Sequence, residues 1–189
     1  GDLRGDVDLS SADGKLLGEA ADDNASEGIA MGDFDGDGLG DIVLGSYNGY
    51  GVYNAGAAYV VLGPASGTFD LAAADFIVRG TSASAYVGIG LAIGDIDHDG
   101  NGELAIGAPG DSTAGVSSGA AYLFYGPPSG TLTLASNDAA FFGENLYHNA
   151  GESIVTGDLD GDGWGDLLIG TPGEYTGGAN AGAVYVVSP

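Results

Sequence analysis

Apolar residues in this chain fall in short runs of Val, Ile, Leu, Ala and Tyr, each bounded by clusters of Gly, Asp, Asn and Ser. Runs of that length with turn-forming flanks predict β-strands. In the middle of the chain four of them follow one another, Ile89 to Ile93, Leu104 to Gly107, Ala120 to Tyr125 and Ala139 to Phe142, here called A, B, C and D. No segment has the length and 3.6-residue periodicity of an amphipathic helix; the strongest candidate, Leu71 to Asp75, is short enough to be a turn. A lone D run (Lys15 to Gly18) opens the chain, ABCD follows twice, and ABC closes it between Ile154 and Val187.

The pattern repeats. GAAYVVLGP from Gly56, GAAYLFYGP from Gly119 and GAVYVVSP from Gly182 recur every 63 residues, and DLSSADGKLLG from Asp8, DLAAADFIVRG from Asp70 and TLASNDAAFFG from Thr133 keep the same phase. The whole chain therefore divides into units 1–62, 63–125 and 126–189 of a single domain. Four short strands per unit and 38 Gly fit an all-β fold of β-propeller blades better than a helical solenoid. The expectation is three four-stranded antiparallel units, the last blade split between the termini. Three blades are fewer than the usual ring of about four to eight. Two chains closing a six-bladed ring as a homodimer, or membership of a longer propeller, would supply the rest.

Between A and B each unit carries an acidic loop: DFDGDGLGD from Asp33, DIDHDGNGE from Asp95 and DLDGDGWGD from Asp158. Four carboxylates in nine residues repel one another unless a multivalent cation lies among them. Oxygens at positions 1, 3 and 5, a main-chain carbonyl at 7 and a carboxylate at 9 can surround an ion of calcium size. The candidate ligands are Asp33, Asp35, Asp37, the Leu39 carbonyl and Asp41; Asp95, Asp97, Asp99, the Asn101 carbonyl and Glu103; Asp158, Asp160, Asp162, the Trp164 carbonyl and Asp166. Gly38, Gly100 and Gly163 at position 6 permit the positive φ of a sharp reversal. An EF-hand would need Glu at position 12, where Leu44, Ile106 and Ile169 stand. Magnesium keeps several waters and seldom takes a full protein cage, so three calcium ions are expected.

Charge narrows the partners. Asp and Glu number 27 against three Lys and Arg, a formal net charge of −24, which disfavours nucleic acid and anionic membrane surfaces. Three divalent ions would bring this to about −18. With no Cys there is neither a disulfide framework nor a thiolate metal site. No apolar run approaches the length of a membrane span, and the amino terminus lacks a charged-then-apolar signal, so the chain reads as a mature or excised soluble piece without membrane insertion. Calcium loops without a sensor-type bidentate Glu favour calcium-rich surroundings, outside the cell or at its surface.

VGIGLAIGDIDHDGNGELAIGAPG from Val87 and AGESIVTGDLDGDGWGDLLIGTPG from Ala150 resemble the FG-GAP repeat of integrin α-subunit propellers and their bacterial relatives. Gly88 and Gly151 match its Gly, and Gly107, Ala108 and Pro109 match its Gly-Ala-Pro, with Gly170, Thr171 and Pro172 close to it. The aromatic before the first Gly is replaced by Val87 or Ala150, and the first copy reads Ala25, Ser26 and later Gly45, Ser46, Tyr47. The resemblance implies a β-propeller with calcium in the A-to-B hairpins and a binding role rather than a catalytic one.

Strand alternation puts A-to-B and C-to-D turns on one side of a blade, D-to-A and B-to-C turns on the other. The side away from the acidic loops collects Tyr47, Tyr50, Tyr53, Tyr86, Tyr147, His148 and Tyr175, a candidate surface for a protein or glycan ligand. Tyr59, Tyr122 and Tyr185 share one position of strand C and read as packing residues. Arg4-Gly5-Asp6 sits where the other units have the turns Ser66, Gly67, Thr68 and Ser129, Gly130, Thr131. With two His, no Cys and no nucleophile-elbow motif, the expected role is an adhesion or binding scaffold and not an enzyme. The alternatives are a non-catalytic propeller portion of a larger secreted enzyme and a self-assembling structural repeat.

Overall fold

β-branched and aromatic runs become strands throughout the computed structural model, which describes residues 8–48 and 51–189. Arg4-Gly5-Asp6 and Tyr50 lie outside the described residues. In chain order the strands are β1 (Gly14–Leu17), β2 (Ala25–Gly32), β3 (Asp41–Ser46), β4 (Ala57–Val61), β5 (Gly67–Asp70), β6 (Phe76–Arg79), β7 (Leu91–Gly94), β8 (Glu103–Ala108), β9 (Ala120–Phe124), β10 (Gly130–Thr133), β11 (Ala139–Phe142), β12 (Ser153–Gly157), β13 (Asp166–Thr171) and β14 (Ala183–Val187). No α-helix occurs among the described residues; the stretch read as a turn near Leu71 is a single 3-10 turn, Leu71–Ala73, capped by the Asp70 carboxylate on the Ala72 N–H.

The A, B, C and D runs pair as antiparallel neighbours. β2, β3, β4 and β6 align Ile29, Leu44, Tyr59 and Ile77 in one row; β7, β8, β9 and β11 align Leu91, Ile106, Tyr122 and Ala140; β12, β13 and β14 align Ile154, Ile169 and Tyr185. Among the described residues the third sheet has three strands, not four.

Two expectations need correction. β1 does not complete the third sheet; it pairs in parallel with β5, Leu16 opposite Phe69. The reason is packing: Leu16 and Phe69 lie against the cluster of Leu44, Tyr59, Val61 and Ile77 on the face of the first sheet turned away from the second, so β1 occupies the place of a D strand preceding that sheet. The turns expected at Ser66 to Thr68 and Ser129 to Thr131 are instead where β5 and β10 begin. β10 pairs in parallel with β6, Leu132 opposite Val78, and so repeats the β5–β1 arrangement one unit later. Short polar runs such as GTFD and GTLT give little periodic signal, and a parallel partner from the preceding unit is not visible in local pattern.

Sheets stack face to face through glycines. Leu91 and Ile93 of β7 lie over Gly28 and Gly32 of β2, where added β-carbons would stand 3.0 Å from Leu91 Cδ1 and 2.6 Å from Ile93 Cγ2. Ile154 and Thr156 of β12 cover Gly90 and Gly94 in the same way. Two apolar layers result. One joins Val43, Val60, Phe76 and Val78 to Leu91, Leu104, Ile106 and Phe124; the other joins Ala92, Ala105 and Leu123 to Ile154, Leu167 and Ile169. At roughly 1.5–3 kcal/mol for each large buried side chain, these layers are the main stabilising term.

Candidate functional site

Each acidic loop is folded by its own carboxylates before any ion is considered. The position-1 carboxylate accepts from the position-6 N–H, Asp33 from Gly38 at 2.9 Å, Asp95 from Gly100 at 3.1 Å and Asp158 from Gly163 at 3.1 Å. Position 3 accepts from position 5, and position 5 from position 7: Asp37 from Leu39 at 2.7 Å, Asp99 from Asn101 at 2.7 Å, Asp162 from Trp164 at 2.8 Å. Gly38, Gly100 and Gly163 have φ of 84°, 95° and 94°, the left-handed turn that glycine makes at least cost. His98 occupies position 4 of the middle loop at φ 61°, its ring 6.3 Å from that of Trp164.

This scaffold turns carboxylate oxygens toward a common point. Ligand atoms of Asp33, Asp35 and Asp37 lie within 4.8 Å of one another, as do those of Asp95, Asp97 and Asp99, and those of Asp158, Asp160 and Asp166. Position 9 is less uniform. Asp41 is buried and accepts 2.7 Å bonds on both oxygens, from the Phe34 and Gly63 N–H groups, so it ties the loop to the end of β4 and lies outside the first group. Glu103 is fully buried; Oε2 accepts from the Ile96 and Asp97 N–H groups, and Oε1 has no partner. Burial holds its carboxyl above the ordinary value of 4.5, against those two N–H bonds that lower it. Asp166 accepts from Leu159 at 2.7 Å, and hydrogen bonds from Ser188 and Leu159 hold it below the ordinary range.

The residues fit a hard divalent cation. Hard oxygen donors alone line each loop, and the buried Asp33 Oδ1 and Glu103 Oε1 have no hydrogen-bond partner. A buried carboxylate oxygen without donors is costly unless a cation faces it. The loops also form a row. A β-carbon on Gly36 would meet the Gly100 carbonyl at 2.8 Å, one on Gly102 the Asp33 carbonyl at 2.6 Å, and one on Gly165 the Asp95 carbonyl at 2.8 Å.

On the other side, D-to-A and B-to-C loops bind each other through main-chain bonds, Ser84 to Tyr53 at 3.0 Å, Tyr86 to Asn54 at 3.1 Å and Tyr147 to Val116 at 2.9 Å among them. They bring the candidate aromatics into two groups. The Tyr47 and Tyr86 rings lie 5.0 Å apart with their planes tilted by 45°, and with Pro109, Asn149 and Glu152 they line a cavity of about 330 Å³. The Tyr86 oxygen accepts a hydrogen bond from Tyr47, which lowers the Tyr86 phenol and raises that of Tyr47. Tyr53, close to Tyr47, is exposed. The second group is Tyr147 and Tyr175, both exposed, with His148 fully buried and its ring edge-on to Tyr175 at 4.9 Å. His148 thus supports this surface from below.

Tyr86 and Tyr147 hold φ of 58° and 62°. Bulky side chains rarely adopt this conformation, and the matching positions carry Asn24 and Asn149, or Asp22 and Ser84. Two further carboxylates escaped the sequence reading: Tyr59 donates to Glu19 and Tyr122 to Asp111, each at 2.9 Å, and Glu19 also pairs with Arg79. Desolvation and the adjoining carboxylates raise both phenols. The recurrence of Tyr in strand C was the signal, but its acids sit at different loop positions.

Comparison with known proteins accords with these repeats. The FG-GAP repeat matches residues 27–61, 87–124 and 150–187. The chain is 32% identical over 164 residues to the phosphatidylinositol-glycan-specific phospholipase D of Rattus norvegicus, covering 82% of the chain and 19% of that protein. It is 36% identical over 152 residues to integrin alpha-PS5 of Drosophila melanogaster, 75% of the chain and 14% of the relative, and 34% identical over 115 residues to integrin alpha-IIb of Homo sapiens, 58% and 11%. The chain spans less than a fifth of the length of these curated relatives. Its three matched segments lie on the three acidic loops and their flanking strands, and the chain belongs to the FG-GAP repeat family.

Proposed function

We propose that this chain is a set of three β-propeller blades stapled by calcium, serving as an extracellular or cell-surface binding scaffold without catalysis of its own. The observation that carries the reading is the convergence of three carboxylates in each acidic loop, with Asp33 Oδ1 and Glu103 Oε1 buried and unpartnered. Calcium fits because the donors are all oxygen and more numerous than magnesium, which retains its waters, would use. A bound ion offsets the repulsion within each loop and fixes its hairpin against the next.

The opposite loops then present the ligand surface. Tyr47, Tyr53 and Tyr86 around their cavity, and Tyr147 with Tyr175, offer rigid area and hydroxyls to a protein or glycan. The left-handed backbone of Tyr86 and Tyr147 supports a functional reason for aromatics there. No helix among the described residues is long and apolar enough to cross a membrane.

A thermal melt in calcium, in magnesium and in chelator tests the reading. At free calcium about 100-fold above the dissociation constant each independent site adds roughly 2.7 kcal/mol, so chelation is expected to lower the midpoint by on the order of 15 °C. Equal midpoints in all three buffers would refute it. A second reading, a non-catalytic part of a larger secreted enzyme, is favoured by the similarity to a phospholipase D over 82% of the chain.

A further inference from the structure

Two equivalent junctions inside the chain are filled differently. Tyr47 follows Gly45 and Ser46 at the end of β3, and Pro109 follows Gly107 and Ala108 at the end of β8. Tyr86 and Asn149, one residue before the repeated positions Val87 and Ala150, have left-handed φ of 58° and 54°. Between the second and third sheets the two places meet as Pro109 and Asn149, whose amide donates to the Pro109 and Ser117 carbonyls, each at 3.2 Å. Between the first and second they meet as Tyr47 and Tyr86, with ring centroids 5.0 Å apart. Asparagine tolerates the left-handed region and tyrosine does not, so the second junction is the relaxed one. Packing of the loops is thus achieved with Pro and Asn, and the phenols at the first junction are held at a cost in backbone strain that points to function.

The two phenols, with Ile89, Ser117, Asn149 and Glu152, line the cavity of about 330 Å³. Every one of these residues lies in a connection between strands of the chain, β3–β4, β6–β7, β8–β9 or β11–β12. The Tyr47 and Tyr86 rings and Ile89 supply apolar area. Tyr47 spends its hydroxyl proton on the Tyr86 oxygen, so Tyr86 keeps a proton to donate, and Ser117 adds a second hydroxyl. Glu152 is exposed and contributes a carboxylate that only accepts. No Lys or Arg lines the cavity among the described residues, and the other charge near Tyr47 is Glu27, so an acidic ligand is repelled. An ammonium or guanidinium would satisfy Glu152 but offers no acceptor to the hydroxyl protons of Tyr86 and Ser117. Addition of a peptide strand is also disfavoured, because the surrounding loops bind each other through their main chains, Tyr86 to Asn54 and Gly110 to Ala85 at 3.1 Å. A small ring with an apolar face and hydroxyls that both donate and accept matches every group present.

We propose that this cavity binds the ring of a neutral saccharide, with the apolar face of the sugar on Tyr47 and Tyr86, its hydroxyls donating to Glu152 and its oxygens accepting from Tyr86 and Ser117. The proposal rests on the reading of this side as the ligand surface and narrows the ligand to one chemical class. A volume at the lower end of small-molecule pockets suits one or two sugar rings. Its lining is half-buried, so a single ring binds weakly, and a longer glycan gains by further contacts along the surface.

Saturation-transfer NMR on the 189-residue chain in calcium tests it, with the methyl glycosides of glucose, galactose, mannose and N-acetylglucosamine and their disaccharides. N-acetylneuraminic acid and arginine amide serve as acidic and cationic probes. The expected result is binding of one or more neutral glycosides and of neither charged probe. Tyr86→Asn installs the residue found at the matching place, so it keeps or raises the melting midpoint, and Glu152→Gln alters an exposed side chain and leaves the midpoint unchanged. Each is expected to weaken glycoside binding about tenfold. Failure of every neutral glycoside to bind overturns the proposal, as does binding that both variants leave in place or a preference for arginine amide. Melting the same samples with calcium and with chelator separates the two readings. A calcium-raised midpoint without glycoside binding overturns the saccharide site alone, whereas glycoside binding with a calcium-indifferent midpoint supports the site and overturns the calcium staple.

Discussion

At the scale of single residues, the acidic loops separate two jobs that look alike in the sequence. Asp33, Asp35 and Asp37 face a common point, while Asp41 spends both oxygens on main-chain N–H groups. Asp41→Ala is therefore expected to destabilise the protein with or without calcium, by about 1.5–3 kcal/mol for each charged hydrogen bond removed. Asp35→Ala should act mainly in calcium, and denaturant melts in both buffers compare the two. Glu103 supplies a pH dependence. Its folded carboxyl lies above the ordinary value of 4.5, so without calcium the folded state holds its proton more tightly than the unfolded state. This contribution is favourable at low pH and is lost as pH rises through 4.5 and the folded value. Glu103→Gln is expected to stabilise the calcium-free protein at neutral pH and to weaken calcium binding by the middle loop. Tyr147→Asn should relieve left-handed strain and raise stability by up to about 1 kcal/mol.

At the scale of elements, the hairpins were legible because both determinants are local. Asp at alternating positions caps the turn, Gly at position 6 reverses it, and β-branched runs on either side form β2 with β3, β7 with β8 and β12 with β13. Glycine at position 8 was not legible as a packing residue, since its role appears only when one loop meets the next. An added methyl on Gly102 would stand 2.6 Å from the Asp33 carbonyl, with no positive φ to explain the glycine. Gly102→Ala is expected to cost about 1–3 kcal/mol by overpacking. Gly157→Ala, in open space, should be neutral or stabilising by about 0.4–1 kcal/mol, and the pair measured together separates sterics from chain entropy. β5 and β10 escaped because their partners, β1 and β6, belong to the preceding unit. The lone D run at Lys15 was recognised as a strand, but its place could not be read from periodicity. Leu16 packing against Leu44 and Tyr59 sets it before the first sheet.

For the whole molecule, the self-similarity of the sequence already implied one architecture repeated three times, and the aligned rows through Tyr59, Tyr122 and Tyr185 show it at the level of register. Folding places twelve loop carboxylates in one row along one side of the stacked sheets, in a chain of net charge −24. Such a row stores repulsion that the apolar layers alone must overcome unless cations offset it. Counting bound calcium by equilibrium titration against a competing chelator addresses this directly. The expected result is three ions for each chain, falling to two when Asp95 and Asp97 are both changed to Asn; no binding at millimolar calcium, or a count that the double variant leaves unaltered, would contradict it.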